Sequence, residues 1–140
     1  MNSYFQFGRK LFLFIIVFLP FFQSANAQKP SFKDIQGKWE GKDERGQNGA
    51  IEFIDSSRLN LIFMGSAPIA MSYKIDYTKK PATLDIYKSG KAGSKPMILK
   101  CLLSLVDPQT IKWQVFPGGD RPDNFTEDEL STLITLKKKE

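Results

Sequence analysis

Asp76, Asp85, Arg121 and Cys101 are the side chains of this 140-residue sequence whose types and placement could do chemistry. The two aspartates fall on either side of Lys79-Lys80-Pro81, on strands predicted to be neighbours. Paired carboxylates can divide general acid and general base work between them. They can equally sit on a polar face, pair with Lys74 or Lys79, or accept backbone N–H groups at strand ends, and this structural role is the expectation. Arg121 lies in a loop rich in glycine and proline. It could stack on the Trp39 indole as a cation, pin its loop to an aspartate by a bidentate bond, or donate to an anionic ligand at a cavity mouth. Structural service is again expected. Cys101 stands in an apolar run, where a lone cysteine acts as a small buried hydrophobe.

Much chemistry is absent by composition. The chain has no histidine, which removes the commonest metal ligand and general base. Neither a Ser/His/Asp nor a Cys/His constellation can be assembled. Pro117-Gly118-Gly119-Asp120 is a turn and not a phosphate loop, because no Lys-Ser or Lys-Thr pair follows it. Hard-cation loops carry denser acid spacing than this chain offers. Basic residues are not interleaved with aromatics as in nucleic-acid surfaces. No metal, no cofactor, no nucleic-acid partner and no enzymatic activity are therefore expected.

The elements that must position these residues are short and β-rich. Strands are predicted at 35–42, 50–54, 58–64, 69–78, 83–88, 97–106, 110–116 and 132–138. Turn residues separate them: Gly46 and Gly49, Asp55-Ser56-Ser57, Lys79-Lys80-Pro81, and Asp107-Pro108-Gln109. Residues 89–96 read as an exposed loop and 117–128 as a second one, with room for one capped helical turn at Thr126–Glu129. The run 69–78 alternates with period 2, placing Ile69, Met71, Tyr73, Ile75 and Tyr77 on one face. Eight strands are enough to close a sheet around a small interior. Alternation nominates Phe53, Phe63, Met71, Tyr73, Leu84, Leu99, Leu103 and Trp113 as its lining, joined by Ile86 and Val115. That interior could be a plain core or an apolar cavity.

The N-terminus is built as an export signal. Arg9 and Lys10 precede an apolar stretch from Leu11 to Phe22, and Ala25-Asn26-Ala27 supplies a small-x-small cleavage pattern. The stretch is shorter than the roughly 20 apolar residues of a membrane span and contains Pro20. Cleavage after Ala27 is expected, with residues 1–27 as leader and 28–140 as one domain in the periplasm or outside the cell. Removing the leader takes away Arg9 and Lys10 and no acid, so the formal charge falls from +5 to +3. No membrane span is then expected to remain, and the oligomeric state is open. With one cysteine the domain must hold without an internal disulfide despite its oxidising destination.

Gly37-Lys38-Trp39 on the first strand is similar to the Gly-x-Trp that opens lipocalin-type barrels. Tyr73 to Asp76, the Lys80-Pro81 turn, Asp85 on the next strand, Leu99-Lys100-Cys101, and Arg121-Pro122-Asp123-Asn124-Phe125 follow in order. Together they resemble a lipocalin-like (calycin-type) domain of uncharacterised exported bacterial proteins. Between Pro96 and Cys101 the sequence departs from that pattern, lacking its Gly-Ile-Tyr-like lead-in. The resemblance implies an all-β, single antiparallel eight-stranded barrel and an exported compartment. It makes Gly37, Trp39, Asp76, Pro81, Asp85, Arg121, Pro122 and Phe125 motif positions, and it implies no activity, because fold does not confer function. The functional expectation is a module binding a small apolar or amphipathic ligand. The alternative is a filled barrel that acts through its loops as an interaction, inhibitor or envelope accessory domain.

Overall fold

The structure, a computed structural model, describes residues 30–88 and 96–140. The leader with its cleavage site and the stretch 89–95 lie outside the described residues. A single turn of helix, α1 (Phe32–Ile35), leads into eight strands. These are β1 (Gly37–Asp43), β2 (Asn48–Phe53), β3 (Arg58–Phe63), β4 (Ile69–Asp76), β5 (Ala82–Lys88), β6 (Met97–Asp107), β7 (Thr110–Phe116) and β8 (Thr132–Lys138). Each pairs antiparallel with the next, and β8 pairs with β1, closing an eight-stranded antiparallel barrel. Closure gives every strand a neighbour on both sides. No helix among the described residues is long and apolar enough to cross a membrane.

The chain opens differently from the sequence expectation, which began the first strand at Ile35. Asp34 accepts from the Ser31 backbone N–H at 2.7 Å and from its hydroxyl at 2.9 Å, holding one helical turn. Gly37 then takes a φ of +102°, a conformation open to glycine and costly for other residues, and swings the chain into β1. Ile35 is thereby buried as a plug beneath the barrel. Its carbonyl accepts the Trp39 indole N–H at 2.7 Å, so the Gly-x-Trp segment closes this end of the fold. The turns 54–57, 77–81 and 108–109 lie at the same end, and the turns 44–47 and 64–68 at the other. Thr126–Glu129 forms no helical turn. Asp128 instead shapes a bend, accepting Leu130 N–H on its side chain and Ser131 N–H on its carbonyl.

Two tryptophans, Trp39 and Trp113, are fully buried in the interior among isoleucines and leucines from β2, β3, β5, β6, β7 and β8, with Met71 and Tyr73 from β4. Phe53 and Tyr73 meet edge-on with ring centres 5.3 Å apart, and the Tyr73 hydroxyl donates to the Asp55 carbonyl at 2.8 Å. Packing of this kind leaves side chains in contact on all sides. Gly41 explains the tight closure of β1 on β8: a Cβ there would run into the Thr135 carbonyl oxygen and the Leu136 side chain.

Candidate functional site

The expected lining residues do not surround one open cavity. Phe53, Met71, Tyr73, Leu84, Leu103 and Trp113 are buried in a single packed cluster, with Leu99 half-buried against it. Phe63 has the inward parity expected of it but sits at the last position of β3, at the barrel mouth, and is 42% exposed. It lines nothing enclosed. Met64 beyond it is more exposed still and holds a φ of +48° in the turn to β4.

Asp76 and Asp85 lie on one face of the sheet but serve different partners. Asp76 accepts the Thr78 N–H at 2.8 Å and its hydroxyl at 2.6 Å, shaping the turn that carries cis-Pro81. Asp85 stands opposite Lys74 in the register and is held by Arg121 Nη1 at 2.6 Å. The same Arg121 nitrogen also faces the carbonyls of Cys101 at 3.2 Å and Leu84 at 3.4 Å, a pair of residues facing each other across β5 and β6. Arg121 therefore clamps its loop to the outer wall through a carboxylate and two strand carbonyls. Lys138, not Arg121, lies over the Trp39 ring, 5.2 Å from its centre.

This clamp is one of two. On β7, Gln114 points outward yet is fully buried. Its amide nitrogen donates to the Thr126 carbonyl and the Ser131 hydroxyl, each at 2.7 Å, and its amide oxygen accepts the Thr126 N–H at 3.1 Å. The β7–β8 loop is thus a strap laid over β5, β6 and β7, covering Leu102 and Phe116 on the outside of the barrel. Lys112 lies 4.8 Å above the strap's Phe125 ring, while Pro122 is half-buried between the strap's two anchors.

The Cys101 side chain is buried in the lumen cluster, while its backbone carbonyl faces Arg121 of the strap. Desolvation pushes its thiol up to about 12, only partly offset by the Trp113 indole and the Arg121 charge. A thiol held protonated in this way is a poor nucleophile. Among the described residues no three His, Cys, Asp or Glu side chains gather as a metal site.

The open space lies elsewhere, at the closed end of the barrel. Strand β6 runs 11 residues against 7 for β5, and their pairing stops at Leu103 opposite Ala82. Beyond that point the overhanging end of β6 and the β4–β5 turn stand apart. Between them is a cleft of about 800 Å³. Ile35 and Pro30 bound it from the α1 side, Leu103 and Leu105 from β6, and Phe125 from the strap. Tyr77, Lys79, Lys80 and Pro81 contribute the turn side. The Tyr77 hydroxyl is buried with no hydrogen-bond partner among the described residues. Burial, followed by the neighbouring Tyr73 and Asp34, raises its pKa well above that of a free tyrosine, so it stays a donor.

Sequence reasoning named Phe125 and Pro81 for their motifs and Tyr77 for its alternation, but did not bring them to one place. It missed Ile35, Leu105 and Gln114 as site builders. Two signals were available: Leu102 and Leu103 are apolar on opposite faces of β6, the mark of a strand covered on both sides, and β6 is too long for its β5 partner. No family model matches the chain, and no curated protein or solved structure matches it.

Proposed function

We propose that this chain is an exported lipocalin-like barrel that binds a small apolar or amphipathic molecule, and that the molecule sits in the closed-end cleft and not in the lumen. A lumen filled by tryptophan and aliphatic side chains, beside a cleft of about 800 Å³, is the observation that carries the proposal. Ligand sites usually span about 300–1,000 Å³, with mainly apolar walls and a few placed polar groups. The cleft fits that description, with Leu103, Leu105, Ile35 and Phe125 as walls and the Tyr77 hydroxyl as a waiting donor. Export rests on the leader at 1–27, and the lipocalin-like relationship on the ordered motifs from Gly37 to Phe125. The carboxylates and Arg121 are engaged in holding turns and strap, which supports a binding role over a catalytic one.

A second reading, the filled barrel that works as an interaction domain, is favoured by the exposed apolar side chains at the mouth: Phe63, Met64, Ile69 and Met97. Native mass spectrometry of protein purified from its own host separates the two. A co-purifying small molecule that is lost in Leu105→Trp, a substitution that fills the cleft, is the expected result. A bare mass for the unaltered protein transfers the case to the interaction reading. Retention of the molecule in Leu105→Trp would place it somewhere other than the cleft.

A further inference from the structure

We propose that the cleft takes an anionic amphiphile, a single apolar chain ending in a negatively charged head group, with the head group held at the Lys79–Lys80 rim. This rests on the reading that the cleft holds a small molecule and adds the charge and the orientation of that molecule. Among the described residues lining the cleft two are cationic and none is anionic. Both cations come from one side, the exposed β4–β5 turn, while the apolar walls come from α1, β6 and the strap. A bound molecule therefore meets charge at one end only.

The surroundings of the Tyr77 hydroxyl disfavour a negative group. Asp34 on α1 lies close enough to Tyr77 to raise its pKa, and it would repel an anion placed beside that hydroxyl. Asp34 is turned toward Ser31, whose N–H and hydroxyl its Oδ2 accepts, and it does not line the cleft. A neutral oxygen along the chain, such as a hydroxyl or carbonyl, is what the Tyr77 donor can accept as a partner. The polarity of the site is then fixed: head group outward at the lysines, chain inward along Leu103 and Leu105 and under Phe125. Because the lysines are exposed, the electrostatic part of the binding is weakened by salt.

The test titrates the purified protein with three chains of equal length: dodecanoate, dodecanol and dodecyltrimethylammonium, followed by calorimetry at low and at physiological ionic strength. Exposed ion pairs are individually weak, so dodecanoate is expected to bind about threefold to tenfold tighter than dodecanol. The ammonium compound is expected to bind weakest. Lys79→Gln with Lys80→Gln should erase the preference for the acid while leaving dodecanol affinity within about twofold. Phe125→Ala should weaken all three chains alike. Equal binding of acid and alcohol, unchanged in the double lysine variant, overturns the charge assignment but leaves the cleft reading intact. Failure of all three chains to bind removes the cleft reading itself.

Discussion

The lumen and the strapped outer wall are both buried, yet they are built on opposite principles. The lumen is held by shape: Trp39, Trp113 and apolar side chains from the other strands interlock, with few polar atoms to satisfy. The outer wall under the strap is held by directed bonds, with Arg121 and Gln114 each reaching several acceptors or donors across the loop. Apolar packing tolerates no missing volume, whereas a polar clamp tolerates no missing partner. The two regions should consequently fail in different ways.

The largest effect is expected in the lumen. Trp113→Ala removes a fully buried indole from the centre of the cluster and should cost about 3–5 kcal/mol. Urea unfolding should show one cooperative transition at a lower midpoint, because the lumen is shared by every strand. A midpoint within 0.5 M of the unaltered protein would mean that the lumen is not packed as described, and would revive a cavity there.

Arg121→Met comes next. It leaves the Asp85 carboxylate and two strand carbonyls without their donor, at a cost of about 2 kcal/mol given the partial exposure of the pair. The expected signature is local: cleavage by a protease within 117–131 at concentrations that leave the barrel intact. Gln114→Leu should give the same pattern. Uniform loss of resistance along the whole chain would show that the strap is part of the global cooperative unit and would weaken the contrast with the lumen.

Legibility in the sequence divides along the same line. Period-2 alternation reports which side chains face inward, so the eight strands and most of the lumen could be read directly from runs such as Ile69 to Tyr77. Alternation is silent about what covers the outward face. Gln114 reads as an ordinary exposed residue until the strap folds over it, and Leu102 as an unexplained apolar intrusion. The cleft was still less legible, because it arises from a mismatch in strand length between β5 and β6 together with Ile35, a residue placed by a one-turn helix in what looked like continuous strand. The motif residues Asp85 and Arg121 could be singled out but not joined, since their bond spans 36 positions and depends on where the strap lies.

The pH response sharpens the comparison further, because its alkaline limb belongs to the buried groups and its acid limb to surface carboxylates, Asp55 foremost. The Cys101 thiol and the Tyr73 hydroxyl are each raised to about 12 by burial. Groups raised on folding contribute stability that is complete below their unfolded pKa and is lost as pH rises through the folded one. Stability should therefore decline from about pH 9 toward pH 12, with the thiol accounting for roughly 1 kcal/mol by pH 10. Cys101→Ala should flatten that limb between pH 9 and 11, whatever its effect at pH 7. In the β2–β3 turn, Asp55 is lowered to about 2 by the Ser57 N–H, then by Arg58. Its contribution is present above the normal carboxylate range and fades as pH falls from about 4 to 2. Asp55→Asn should shrink this acid limb without touching the alkaline one, the remainder belonging to Asp34, Glu40 and Asp107, which are also held low.

The smallest expected effect is the most informative about the cleft. Tyr77→Phe deletes a hydroxyl that is buried with no partner among the described residues. A buried, unsatisfied polar group costs free energy, so its removal should leave stability unchanged or raise it by up to about 1 kcal/mol. The same substitution on Tyr73, whose hydroxyl is bonded to the Asp55 carbonyl, should lower stability by about 1 kcal/mol. Thermal unfolding of the two variants side by side therefore separates an oxygen that serves the fold from one that does not. If Tyr77→Phe is neutral to the fold yet weakens binding of a chain carrying a neutral oxygen, the hydroxyl is kept for the ligand. If it destabilises as Tyr73→Phe does, Tyr77 has a structural partner, and its hydroxyl is not held in reserve for a ligand.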